Sequence, residues 1–362
     1  MKTTLIIDGN WLLLSRAFVL LDYFKKDNPE EVKTDAKSRL KDILNSSINI
    51  TLNRFKNTIS NIILISDGGS WRKQIDRPYL VRDFEYKGNR VFDEDVDWDM
   101  IFDTLTEVNK QFSKLGITAT NHYAIEGDDW AWWWSRYLNS KGINAIIWSS
   151  DNDLKQLLQA DNGAFTGWYI DSKNENRGLY LPEVLKEKSV DDIDFFLDPD
   201  ISNPTLERIK VQAQQVHYIN PDLIVMEKIV CGDMGDNIKS IILKEMNGKN
   251  YGVGLKDWEK VREKLGLEKL SDFFNSKDRI IQELVQINKF SSFKDKVSQV
   301  ADVFEFNKKL VWLNEQTIPE SIQESMNQEQ YKEYDLNNIY NNYKILSGEN
   351  TTNIESIFEG VL

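Results

Sequence analysis

Short apolar runs that stop at a carboxylate recur through the first half of the chain. TTLIID ends at Asp8, NIILISD at Asp67, NHYAIEGDD at Glu126, Asp128 and Asp129, and NAIIWSSDND at Asp151 and Asp153. Each run reads as a strand buried on both faces, and each is followed by a helix-like amphipathic segment. Strands alternating with helices predict an α/β fold with a mostly parallel central sheet and flanking helices. In such sheets ligands bind beyond the carboxyl ends of the strands, where these acids fall.

Taken singly, an Asp after a strand is most simply a helix N-cap or a turn residue, because its oxygen accepts from exposed backbone N–H groups. Taken together, the set would require unrelated caps at four separate strand ends. Two like unit charges 4 Å apart cost about 4 kcal/mol at an effective dielectric of 20, so gathered carboxylates need cations unless they are protonated or paired. Hard oxygen donors suit Mg²⁺, with Mn²⁺ able to substitute, and their number suits two ions.

A second acidic cluster lies in IVCGDMGDNIKSI, where Asp233 and Asp236 stand three apart on one side of a helical turn. Read alone it is equally an ordinary glycine-rich helix entry. Between the second and third acidic runs, residues 71–98 carry Arg72, Lys73, Arg77, Arg82, Lys87 and Arg90 interleaved with Trp71, Tyr79, Phe84 and Tyr86. That basic patch offsets locally a formal net charge of −13, which would otherwise repel a polyanion.

From about residue 220 the alternation gives way to helical patterns, which divides the chain into an α/β part, 1–220, and a helical part, 221–362. No segment approaches the roughly 20 apolar residues of a membrane helix. Asp8, Gly9 and Asn10 interrupt the N-terminal apolar run, so no secretion signal is read. The single Cys231 fits a reducing, cytoplasmic setting.

In order, IDGN, SDGGSWRK, EGDD, SSDNDLKQL and GDMGDN resemble the signatures of the structure-specific 5′-nucleases, the flap endonuclease family. FNKKLVWLNEQTIPESI is similar to a segment of the T-even phage ribonuclease H type. The resemblance implies a PIN-like nuclease domain, with Asp8, Asp67, Asp128 and Asp151 holding a first metal ion and Glu126 close behind. Asp153, Asp233 and Asp236 would hold a second, and Asp129 matches a neighbouring acid of less uniform role. Residues 71–98 match the family's arch, with Lys87 and then Arg72 as contacts to the scissile phosphate, and Lys73, Arg77, Tyr79, Arg82, Tyr86 and Arg90 as nucleic-acid contacts. Tyr79, Phe84 and Tyr86 are equally read as stackers of an unpaired base or as anchors of the arch.

YGVGLKDWEKV resembles the glycine turn and second helix of a helix–three-turn–helix element, which implies backbone contacts near Gly252, Gly254 and Lys256 and a K⁺ site. An insertion, residues 241–250, interrupts that element and leaves the ion site open. The family reading implies a monomeric nuclease in phage replication, in the host cytoplasm, acting on DNA or RNA·DNA with a 5′ single-stranded end. It also implies a sliding clamp and a single-strand-binding protein as partners. IESIFEGVL is the candidate clamp peptide; the plainer reading is that this apolar end tucks onto its own domain.

Two rival functions share these residues. An aspartyl-nucleophile phosphatase would need an acid two residues after Asp8, where Asn10 stands. A non-catalytic replisome scaffold would leave the acids as uncompensated charge. For the helix starting at EGDDWAWWW, the spacing of Trp130, Trp133, Trp134 and Tyr137 predicts a buried stripe, with Trp132 off it.

Overall fold

The computed structural model describes residues 2–27, 36–55, 59–90, 93–94, 96–161, 163–170, 178–186, 216–246 and 249–333. IESIFEGVL lies outside them. The chain forms two compact units: Met1–Gly69, Glu94–Ile219 and Glu324–Leu362 make one, Ser70–Asp93 and Asn220–Gln323 the other. This differs from a single cut at residue 220, because the basic segment packs into the core of the second unit and the chain after Gln323 returns to the first.

The first unit is built on strands β1 (Thr3–Asp8), β2 (Asn61–Ile65), β3 (Thr118–Thr120), β4 (Asn144–Trp148), β5 (Gln159–Asp161), β6 (Ala164–Ile170), β7 (Gly178–Pro182) and β8 (Val216–Ile219). The order across the sheet is β3-β2-β1-β4-β6-β7-β8, with β5 beside β6. Pairs from β3 through β6 are parallel, as is β7 with β8, while β6–β7 and β5–β6 are antiparallel. Every residue of β2 and β4 is buried, as are all of β1 before Asp8. That explains why these strands are continuous runs rather than alternating ones.

Helices cover both faces. On one, Leu5, Ile7, Ile62 and Leu64 pack with Leu12 and Leu13 of α1 (Gly9–Asp27), Leu40 and Leu44 of α2 (Ala36–Phe55), and Ile101, Leu105 and Phe112 of α3 (Trp98–Lys114). On the other, α4 (Gly127–Ser140) lies against β1, β2, β4 and β6.

Two sequence expectations shift here. NHYAI is a loop rather than a strand: β3 ends at Thr120, so the acids of EGDD enter on the first turn of α4. The tryptophan stripe is also rotated. Trp130, Trp134 and the off-stripe Trp132 are buried. Trp133 is half-buried, stacked on Tyr137 with 5.3 Å between ring centres, and its indole N–H donates to Asn327 Oδ1 at 3.2 Å. The returning tail causes this, since Tyr331 lies 6.0 Å from Tyr137 and its hydroxyl hydrogen-bonds Thr4 Oγ1 at 3.0 Å.

In the second unit, α5 (Pro221–Cys231) starts at an Asn220 cap that accepts from Asp222 N. The residues expected as an insertion form an antiparallel hairpin, β9 (Leu243–Met246) with β10 (Lys249–Gly252). Next come α6 (Leu255–Leu265), α7 (Leu270–Asn275), α8 (Lys277–Gln286) and α9 (Val297–Val311). Their core holds Met226, Ile229, Trp258, Phe273, Ile281, Leu284 and Phe304, together with Val81 and Tyr86 of the basic segment. Among the described residues no helix is long and apolar enough to cross a membrane.

Candidate metal and nucleic-acid site

In the first unit the parallel order β3-β2-β1-β4 brings the carboxyl ends of these strands to one edge of the sheet. Asp8 closes β1, opposite Ile65 of β2. Its Oδ1 accepts from Trp11 N at 3.0 Å and its Oδ2 from Ser149 Oγ at 2.6 Å. Ser149 itself accepts from Asp151 N at 3.0 Å, so one buried hydroxyl ties the ends of β1 and β4 together. Asp151 then caps the 3₁₀ turn Asn152–Leu157, accepting from Asp153 N at 2.9 Å.

Asp67 is held from both sides. Its N–H donates to Asn10 Oδ1 at 2.9 Å, and its Oδ1 accepts from Gly127 N, at the first turn of α4, at 2.6 Å. Gly68 continues the clamp: its N–H donates to Ile125 O at 2.9 Å and its O accepts from Ala124 N at 3.1 Å. A side chain is excluded there, since a Cβ would fall 1.9 Å from His122 O. Ala124 takes up the resulting strain at φ 67°, a value an L-residue rarely adopts.

Glu126 is the N-cap of α4 and is buried. Asp129, fully buried, accepts from Glu126 N at 3.2 Å, which makes it the reciprocal half of the cap. Asp128, between them, is half-buried on the same positive helix end.

Burial is the largest influence on Asp8 and pushes its carboxyl up to about 7. The bonds from Ser149 and Trp11 oppose that rise, and the charges of Asp67 and Asp151 add to it. Asp67 and Asp151 therefore each repel the Asp8 carboxylate at this edge. Hard carboxylate oxygens under mutual repulsion fit a divalent cation in chemical kind. Among the described residues, however, no group of three or more Asp, Glu, His or Cys side chains is drawn closely enough to enclose an ion. The edge is a gathered set of donors rather than a closed coordination shell.

The second unit holds Asp233 and Asp236 together with the basic segment. Burial works to raise Asp233, but the Lys228 ammonium and the N–H groups of Gly235 and Asp236 outweigh it and hold the carboxyl below its ordinary value. Asp236 accepts from Arg90 Nη2 at 2.9 Å and from the Tyr86 hydroxyl at 3.2 Å, and Lys87 Nζ lies 3.9 Å away. Lys87 also donates its backbone N–H to Asp236 O at 2.8 Å, at φ 56°. These two acids are therefore ion-paired within their own unit.

Arg72, expected beside a phosphate, is 3% exposed, and its Nε donates to Leu310 O at 3.0 Å. Its guanidinium lies 4.5 Å from the centre of the Trp71 ring. Tyr86 is buried and Phe84 packs on the same core, so these rings anchor the segment. Tyr79 is 66% exposed with Arg82 over its face, and Lys73, Arg77, Arg82 and Arg90 are exposed. Gly252 packs on Ser240, whose Oγ accepts from Val253 N at 2.8 Å, and Gly254 caps α6 with exposed Lys256 on its first turn.

Sequence reasoning missed the roles of Ser149, Gly68 and the Gly127 N–H, and it did not connect Asn10 with Asp67. SSDND did carry a signal, a hydroxyl two residues before Asp151. Its meaning depends on β4 lying beside β1.

No protein-family model matches the sequence, and no curated protein matches it. Among solved structures, a phage T5 protein co-crystallised with metal ions is 15% identical over 86% of this chain and 98% of its own, with a TM-score of 0.45. A phage T5 flap endonuclease, in a pseudo-enzyme–product complex with DNA and metal ions, is 15% identical over 85% of this chain and all of its own, with a TM-score of 0.43. At that level of likeness no residue's role passes from those proteins to this chain.

Proposed function

We propose that the chain is a divalent-metal-dependent 5′-nuclease, hydrolysing phosphodiesters near the 5′ end of DNA or RNA·DNA duplexes and at 5′ flaps. The observation that carries this reading is the single sheet edge that gathers Asp8, Asp67 and Asp151, at or just after the ends of three neighbouring parallel strands, with the Glu126–Asp129 first turn of α4. Asp8 is destabilised as an anion there by burial and by its neighbours. On this reading Asp8, Asp67, Asp128 and Asp151 hold the first ion, with Glu126 behind them, and Asp153 contributes to a second. When bound, divalent ions at such an edge supply a water of lowered pKa and neutralise charge on the leaving oxygen.

The chain's own residues do the rest. Ser149, Asn10 and the Gly127 N–H fix Asp8, Asp67 and Asp151 in position. Exposed Lys73, Arg77, Tyr79, Arg82 and Arg90 offer charge and a ring to the unpaired strand, and Lys87 is the proposed phosphate contact. Arg72, by its burial, holds that segment in place. A role for Asp233 and Asp236 at the second ion requires that Lys228 and Arg90 be shared or displaced. A monovalent cation at the Gly252–Gly254 turn belongs to the same proposal. Asn10, spent on the Asp67 N–H, leaves no acid in the position an aspartyl phosphatase would need.

The test is incubation with a 5′-labelled DNA flap and a 5′-labelled RNA·DNA duplex, with Mg²⁺ and with chelator. Short 5′ products that vanish with chelator are expected; intact substrate under every divalent ion would overturn the reading.

A further inference from the structure

Helix α3 has two unlike faces. Ile101, Leu105, Val108 and Phe112 are buried. On the other face Thr106, Asn109, Lys110, Ser113 and Lys114 recur at helical spacing and, with Asn121 from the loop after β3, line an open cleft of about 470 Å³. One hydrogen bond and one close approach tie this cleft to the carboxylate edge. Asn109 Nδ2 donates to Ser66 Oγ at 3.1 Å, one residue before Asp67, and Asn121 Oδ1 sits 3.0 Å from where a Cβ on Gly68 would lie.

The charge of the cleft is unusual for this chain. Lys37 and Lys41 on α2 are paired with Glu107 of α3, at 2.8 and 3.4 Å. Lys110 and Lys114 are exposed, and no carboxylate among the described residues stands within ion-pair distance of either. Like charges four residues apart on a helix repel. The helix's negative end offsets this for Lys114, in its last turn, more than for Lys110. In a chain of net charge −13, two ammoniums with no described carboxylate beside them, flanked by the side chains of Thr106, Asn109, Ser113 and Asn121, suit an anion with several oxygens.

We propose that this cleft binds backbone phosphates of a nucleic-acid strand running away from the carboxylate edge. This rests on the nuclease reading for the identity of the strand, though not for the chemistry of the cleft. Phosphate contacts of this kind set register and orientation without reading sequence. The cleft would therefore hold the substrate at a fixed distance from Asp67 whatever its bases.

The experiment is fluorescence-anisotropy binding of a labelled single-stranded oligonucleotide and a labelled duplex over a range of salt, in chelator, for wild type, K110A/K114A and K141A. Lys141 is an exposed lysine at the C-terminus of α4 and serves as the control for loss of a lysine beside a helix's C-terminal end. Two lost phosphate contacts lower the slope of log affinity against log salt by about 1.4 for a single strand, or about 1.8 for a duplex. That drop in K110A/K114A, its absence in K141A and its rescue in K110R/K114R are the expected results. A slope in K110A/K114A equal to that of wild type or K141A overturns the proposal. If wild type cleaves a flap in Mg²⁺ while the slopes do not change, the cleft alone fails. If the slope drops but wild type cleaves nothing, the cleft stands and the nuclease reading fails.

Discussion

Ser149→Ala removes one oxygen at the point where two strand ends are joined. Ser149 is fully buried, and its hydroxyl donates to Asp8 Oδ2 at 2.6 Å while accepting from Asp151 N at 3.0 Å. A hydrogen bond to a charged group contributes about 1.5–3 kcal/mol, against about 0.5–1.5 kcal/mol between neutral groups. The Asp151 N–H belongs to an exposed residue and regains water, so it adds little. At pH 8.5 in chelator, where Asp8 with its value near 7 is ionised, the variant should unfold about 2–3 kcal/mol more easily. With a urea slope of about 2–3 kcal/mol/M, that is a midpoint lower by about 1 M, read by tryptophan fluorescence. At pH 5.5 Asp8 carries a proton, the bond becomes neutral, and the loss should shrink to about 1 kcal/mol. In an Asp8→Asn background Ser149→Ala should cost at least about 1 kcal/mol less than in wild type at pH 8.5. Equal losses in the two backgrounds, or a loss below about 0.5 kcal/mol at pH 8.5, would refute the idea that this hydroxyl steadies the Asp8 carboxylate.

Gly68→Ala puts a methyl 1.9 Å from His122 O, so it should destabilise by about 1–3 kcal/mol or more and displace Asp67; an unchanged urea midpoint would contradict the packing of that loop. Because the folded value of Asp8 is raised above its unfolded one, the metal-free protein should gain stability from this group as pH falls through about 7, and Asp8→Asn should flatten that part of the pH profile. A profile identical in wild type and variant would remove the cause assigned to it. Burial pushes the Cys231 thiol up to about 12, so alkylation at pH 8 should be slow in the native protein and fast in denaturant, as followed by mass spectrometry.

The parallel sheet was legible because β1, β2 and β4 carry unbroken apolar runs, Leu5–Ile7, Ile62–Ile65 and Ala145–Trp148, as strands covered on both faces do, and each such run stops where the chain reaches the open edge. Asp8, Asp67 and Asp151 stand out for the same reason. What was not legible depends on contacts between distant segments. Trp133 keeps helical spacing with Trp130, yet it lies at a rim covered by Asn327 and Tyr331, and nothing in GDDWAWWW announces a tail nearly two hundred residues later. Arg72 looks like an exposed member of a basic patch, and Tyr86 reads equally as a stacker or an anchor. Both are buried because the segment packs on a core formed from residues after 220. NHYAI reads as a strand from its apolar residues, but the hydrogen bonds of Gly68 to Ala124 and Ile125 hold it as a loop.

The most direct measurement is single-turnover cleavage of a 5′-labelled flap in Mg²⁺ by wild type and Asp151→Asn, with flap binding measured in parallel in chelator. The expected result is cleavage by wild type, a rate lower by on the order of 100-fold or more in the variant, and binding the same for both. Cleavage that survives chelation, or that Asp151→Asn leaves unchanged, would contradict a metal-dependent carboxylate edge as the seat of the chemistry.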